Sequence, residues 1–240
     1  MSILSSLILE LRELFFPARC AVCGEPLGEE EQLICTLCRV TAPLTGYESE
    51  PYNPLMTKFE GLVPIERGAV MLYFRQESGW QRMIHDFKYR SAWRTAREMG
   101  RWYGRRLAES GWYGDVDLII PMPLHPLKQL QRGYNQASYL AEGMGLSMGV
   151  KVERRAVRRA RYTSSQAQTP MRQRASNVED AFAVRRAELL RGKHLLIVDD
   201  VLTTGATISS CATTIISACK GDVRISVASL AVSRRIVNEK

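Results

Sequence analysis

No run of 18 uncharged apolar residues occurs in the 240-residue chain, which excludes a helical membrane span. Histidine is scarce. His85, His125 and His194 are the only three, and none stands in a Ser-His-Asp or Cys-His arrangement. Each is expected to be structural, with His125 the one worth testing. There is no Gly-Lys-Ser/Thr phosphate loop and no Gly-x-Gly-x-x-Gly dinucleotide loop. No internal repeat or low-complexity segment is found. Apolar residues at 45% and charged residues at 24% describe an ordinary globular chain, not a disordered one, a collagen or a disulfide miniprotein.

The first residues lack a basic lead-in and a small-residue cleavage site, which argues against a signal peptide. Ile3, Leu4, Leu7, Ile8, Leu11, Leu14 and Phe15 recur at helical spacing around Glu10, Arg12 and Glu13. An amphipathic helix docking on the rest of the chain is the expectation, in a cytoplasmic protein. With 33 Lys and Arg against 25 Asp and Glu, the formal charge is +8. Such a balance favours polyanionic ligands in the encounter, without fixing a function.

Four of the six cysteines form Cys20-x2-Cys23 and Cys35-x2-Cys38. Each pair suits a tight turn that points two thiolates inward, and two turns complete a tetrahedral S4 site for structural Zn2+. Gly24, Pro26 and Gly28 in the spacer suit a short ribbon. Two disulfides are the competing reading, which a reducing cytosol disfavours. A redox pair is a weaker one, without a βαβ context. Four thiolates close the coordination sphere, so such a metal folds a lobe and does no catalysis. Cys211 and Cys219 share an apolar helical face with Ile208, Ala212, Ile215 and Ile216, and read as buried and inert.

The expected organisation is a helix and zinc-ribbon lobe over residues 1–47 and an α/β domain over 48–240. Residues 41–60 read as a linker, from Pro43, Gly46, Pro51 and Pro54. Strands are expected at 69–74, 117–120, 194–198 and 225–232. Helices are expected over 80–107, with a break near Ser91, and over 136–144 and 208–219. Strands alternating with helices predict a parallel sheet flanked by helices.

The run Leu195-Leu196-Ile197-Val198-Asp199-Asp200-Val201-Leu202-Thr203-Thr204-Gly205-Ala206-Thr207 carries the most chemistry. Its apolar half predicts a central strand with two carboxylates at the C-terminal end, the edge where open α/β sheets bind ligands. Thr203, Thr204, Gly205 and Thr207 then open a helix, where N–H groups and hydroxyls make an anion cradle. Carboxylates that accept from ribose hydroxyls beside a nest for a 5′-phosphate explain the pairing. The plainer alternative is an Asp pair that merely caps a helix.

This run resembles the phosphoribosyl-pyrophosphate (PRPP) motif of type I phosphoribosyltransferases, and the whole chain resembles the ComF/GntX family. Matching segments are Phe87-Lys88-Tyr89, Pro121-Met122-Pro123-Leu124, Arg132-Gly133-Tyr134-Asn135-Gln136-Ala137, and Gln166 through Arg174, Asn177 and Phe182. Tyr134 stands where the family more often has Phe. The resemblance implies that Asp199 and Asp200 contact ribose and that Val201 to Thr207 wrap the phosphate. Leu124, His125, Pro126 and Leu127 would form the pyrophosphate loop. Residues 161–177 would form a flap, which with Arg132, Gly133, Asn135, Gln136, Gln166, Arg174 and Asn177 completes the site. Mg2+ would accompany PRPP in an active enzyme, an amidophosphoribosyltransferase-like or nucleobase-salvage transferase acting on a small acceptor. The family also implies natural competence, with single-stranded DNA and a competence helicase or other DNA-processing protein as partners.

Arg90, Arg94, Arg97, Arg101 and Arg105 fall on one helical face. With Lys88 they are candidates for tracking a nucleic-acid backbone, and Trp102 and Tyr162 for stacking on bases. Lys151, Arg154, Arg155, Arg158, Arg159, Arg161, Arg172 and Arg174 add to the basic surface. A solvated helix face is the alternative.

Overall fold

The computed structural model describes residues 18–74, 77–89, 92–160 and 181–233. The expected N-terminal helix, the flap with Gln166, Arg174 and Asn177, Tyr162, Arg90 and the side chain of Lys88 lie outside the described residues.

The strand with the PRPP-like run is the structural centre. Strand β6 (His194–Leu202) pairs in parallel with β7 (Arg224–Ser233) on one side and β2 (Leu118–Pro121) on the other. Beyond them lie β1 (Gly68–Phe74), against β7, and the two-residue β3 (Lys151–Val152), against β2. The order β1-β7-β6-β2-β3 is parallel throughout. Leu196 and Val198 enter the core on one face of β6, and Leu195 and Ile197 enter the core on the other. A strand covered on both faces needs apolar residues at every position, which explains its unbroken run.

One face carries α2 (Gly79–Tyr89), α3 (Trp93–Glu109) and α5 (Gln136–Met148); the other carries α6 (Ala206–Ala218). An antiparallel hairpin of β4 (Val157–Arg159) and β5 (Phe182–Val184) packs with α6. Helices α3 and α5 meet backbone to backbone. A Cβ placed on Gly143 would lie 1.9 Å from the Arg97 carbonyl oxygen, and one on Gly100 would lie 2.1 Å from that of Leu140. Only glycine permits this approach. Among the described residues, no helix is long and apolar enough to cross a membrane.

Residues 41–60 are not a linker. Leu44 bridges Leu72, the Thr45 N–H donates to the Met71 carbonyl at 3.0 Å, and Tyr73 donates to that of Pro43 at 2.8 Å. The segment thus covers the otherwise open edge of β1. Asn53, buried, donates to the carbonyls of Glu50 and Gly68 at 2.7 Å each and accepts from Leu55 at 3.0 Å. One amide side chain replaces the ladder that the prolines interrupt. Leu55 and Phe59 sink into the core, and buried Glu48 pairs with Arg106 of α3. Pro and Gly mark turns, but the apolar residues between them decide whether the turns are packed.

Candidate functional site

The four-cysteine lobe is built from two knuckles. The Gly24 N–H donates to the Cys20 carbonyl at 2.9 Å, turning the first Cys pair inward. The second pair spans the start of α1 (Thr36–Val40), where the Cys35 sulfur accepts from Cys38 N–H at 3.5 Å. All four sulfurs lie within 4.8 Å of one another. Cys23 and Cys35 sulfurs are 3.7 Å apart, the edge of a tetrahedron with metal–sulfur bonds of about 2.3 Å. Burial raises the Cys20 thiol, but backbone N–H groups of Cys23, Cys35 and Val22 outweigh it and bring it down to about 6. Burial and the neighbouring sulfurs push Cys38 up. Four thiols crowded this closely fit a divalent ion that displaces their protons. The cluster is compatible with structural Zn2+.

At the other end of the sheet, Asp199 and Asp200 stand near the C-terminal end of β6, and Thr203 to Gly205 join it to α6. The Asp200 N–H donates to Asp199 Oδ1 at 2.9 Å, and Val201 N–H donates to Asp200 Oδ1 at 2.8 Å. Gly205 has φ 80°, and a Cβ there would lie 3.3 Å from the Phe59 ring. It caps α6 without a side-chain hydrogen bond, and Thr203, Thr204, Ala206 and Thr207 are exposed around it. The chain thus brings two half-buried carboxylates beside the N-terminus of a thirteen-residue helix, where N–H groups and the helix dipole favour an anion.

Met122 donates its N–H to the Val198 carbonyl at 2.7 Å, so Pro123 and Leu124 leave the sheet beside Asp199. The segment expected to be a pyrophosphate loop is only partly a loop. Only Leu124 and His125 are loop, because Pro126 and Leu127 form the first turn of α4 (Pro126–Arg132). The cause is local: His125 Nδ1 accepts from Leu127 N–H at 3.2 Å, and Pro126 presets the helical φ. His125 is therefore a helix cap.

The Arg132–Ala137 block is a clasp. Asn135 donates to the Met122 carbonyl at 3.0 Å and caps α5 by accepting from Ala137 N–H at 3.1 Å. The Tyr134 hydroxyl donates to the Phe87 carbonyl, and Arg132 donates to Gln136 at 3.2 Å. Gly133, at φ 77°, ends α4. These residues fix the loop to the sheet edge.

The expected basic helix face is partly engaged. Arg97 pairs with Glu142 of α5 at 3.1 Å and Arg101 with Glu98 at 3.4 Å. Arg94 and Arg105 are exposed. Trp102 is not a free stacking platform: it packs with Trp80, ring centroids 6.3 Å apart, under the Arg39 guanidinium of the four-cysteine lobe at 5.8 Å. Spacing on one helix shows a face but not the acid that a neighbouring helix brings to it.

Two residues near the site escaped the sequence reading, and a third, Arg159, was read only as part of the basic surface. Lys58 and Phe59 lie behind Gly205, in the segment taken for a linker. Arg159 stands close enough to Asp199 for that carboxylate to favour its cation, against the burial that disfavours it. Cys211 lies in the same field, and burial pushes its thiol up to about 12, as expected of an inert cysteine.

The family model described as Phosphoribosyl transferase domain matches residues 130–234. DNA utilization protein YhgH of Escherichia coli (strain K12) is 36% identical over 97 residues, covering 40% of this chain and 41% of that protein. Competence protein F of Haemophilus influenzae is 34% identical over 95 residues, covering 39% of this chain and 41% of the relative. The chain thus spans less than half the length of the curated relatives it matches. Solved structures overlay loosely. Glutamine PRPP amidotransferase from B. subtilis gives 19% identity and a TM-score of 0.39, covering 55% of this chain and 26% of that one. Adenine phosphoribosyltransferase from Saccharomyces cerevisiae gives 14% identity and 0.37, covering 64% and 76%. The chain is thus similar to the phosphoribosyl transferase domain over residues 130–234, and part of it is similar to YhgH and to competence protein F.

Proposed function

We propose that the chain binds PRPP or a nucleotide at the β6–α6 junction and serves the uptake or utilization of DNA. The observation that carries the first half is the pair Asp199 and Asp200 beside the uncapped N-terminus of α6. The carboxylates accept from ribose hydroxyls, and the N–H groups and hydroxyls from Thr203 to Thr207 hold the 5′-phosphate. The second half rests on relatives named for DNA utilization and competence. Single-stranded DNA and a DNA-processing protein, such as a competence helicase, are the partners this reading takes.

A second reading is an active phosphoribosyltransferase that passes the 5-phosphoribosyl group to a small acceptor. The two carboxylates are hard oxygen donors of the kind Mg2+ takes. Mg2+ bound with PRPP would screen the charge of the leaving pyrophosphate. The chain's own part is to orient the ribose, hold the phosphate and keep water away.

Calorimetry of PRPP binding with Mg2+, comparing wild type with Asp199→Asn/Asp200→Asn, tests both. Binding that the variant loses supports the site, and turnover on adding an acceptor selects the transferase. A folded, zinc-loaded wild type that binds neither PRPP nor a nucleotide overturns the proposal.

A further inference from the structure

A cavity of about 460 Å³ opens between α4, the start of α5 and the β3–β4 connection, and borders the candidate site at Leu124, Asn135 and Arg159. Arg154, Arg155, Arg158, Arg159 and Arg185 line it, and its described lining includes no carboxylate. In a chain with 25 acidic residues against 33 basic ones, five arginines converging without an acid are out of proportion to the composition. Arg154 is held by Glu142 at 2.5 Å, and that same carboxylate holds Arg97. Arg155, Arg158 and Arg185 are exposed and have no ion pair among the described residues. Their mutual repulsion is relieved by a ligand with several negative charges.

The same cavity has an aromatic wall. Tyr139 lies edge-on to Tyr134 with centroids 5.5 Å apart, and tilts against Trp93 at 5.5 Å. The Tyr134 hydroxyl, bonded to Phe87, makes this wall rigid. Sites for small metabolites enclose their ligand within mostly apolar walls. Here the unpaired cations stand on an exposed rim above aromatic rings, the combination that holds an unpaired strand by its phosphates and stacks its bases.

We infer that this cavity binds single-stranded nucleic acid, its phosphates on Arg155, Arg158 and Arg185 and a base against Tyr139. The inference rests on the DNA reading above and gives it a surface, one other than the α3 face.

Fluorescence anisotropy of a labelled oligothymidylate, titrated with salt against full-length, zinc-loaded protein, tests it. Each phosphate contact on a single strand contributes about 0.7 to the slope of log affinity against log salt, so Arg155→Gln/Arg158→Gln/Arg185→Gln lowers the slope by about 2. Arg94→Gln/Arg105→Gln on α3 leaves it unchanged. Zinc content and melting temperature of the triple variant stay at wild-type values, because the three side chains are exposed. If the wild type binds no strand, the DNA reading and the inference both fall. If it binds and the triple variant keeps the wild-type slope, the inference alone falls. Equal competition by polyglutamate, or binding of thymidine monophosphate as tight as the strand, overturns the assignment to a strand.

Discussion

Phe59 packs against Gly205 at the start of α6: the aromatic edge fills the space that a side chain at 205 would need, 3.3 Å from its Cβ. The glycine that opens α6 is therefore held from behind by a residue nearly 150 positions earlier. Gly205→Ala meets both this ring and the cost of a left-handed backbone, about 1–2 kcal/mol for a non-glycine residue. The variant should unfold at lower denaturant and bind PRPP more weakly. Chemical denaturation and calorimetry on the same preparation read the two effects.

The glycine contact between α3 and α5 makes its own prediction. Gly143→Ala forces the helices apart, since the new methyl would stand 1.9 Å from the Arg97 carbonyl oxygen. Overpacking of this kind costs about 1–3 kcal/mol. The Arg97–Glu142 pair at 3.1 Å should be strained with it. Equilibrium unfolding in urea gives the loss, and an unchanged midpoint would mean that the helices have slack.

His194 links stability to pH. Its side chain is fully buried, with Nε2 2.8 Å from Ser226 Oγ and Nδ1 3.2 Å from Asp115. Burial disfavours the imidazolium more than Asp115 favours it, because Arg67 and Arg224 already hold that carboxylate. The folded pKa therefore lies below the ordinary 6.5. In that window the unfolded chain binds the extra proton, so stability falls as pH drops below about 6.5. Asp115 is itself depressed, by Arg67 and Arg224 against its partial burial, so its contribution is lost only in a window below 3.8. Denaturation midpoints between about pH 7.5 and pH 5 should decline in the wild type. They should be flatter in His194→Gln.

The Cys cluster should carry one zinc per chain, measurable by elemental analysis. Cys23→Ser leaves three thiolates and should weaken retention of the metal against a chelator. Removal of the metal should lower the melting temperature of the whole protein, because Cys20 and Cys38 belong to the same apolar cluster as Met71 and Leu72 of β1. A full complement of metal in Cys23→Ser would show that the cluster is not the site.

What the sequence disclosed was local. The run from Leu195 to Thr207 states its strand, its carboxylates and its helix start in consecutive residues, and the paired cysteines state their geometry in two short spacings. What stayed hidden depends on partners far along the chain. Asn53 turns a Pro-rich stretch into a packed layer by reaching the Gly68 carbonyl. Glu142 occupies Arg97 from another helix, and Arg185 joins Arg154, Arg155 and Arg158 from the far strand of a hairpin. Pro126 was placed in a loop, but after a capping His125 it begins a helix. In each case the residue type was visible and its neighbour was not.

The core that the four-cysteine lobe shares with the sheet ties the survival of the chain to any metal the cluster holds. Val22, Ile34, Cys20 and Cys38 cover apolar residues of β1, α2 and α3, so a copy made without metal would leave that surface open to chaperones and proteases. Trace-element supply would then set how many mature copies a cell keeps, by way of turnover and with no change in the chemistry at the opposite edge of the sheet.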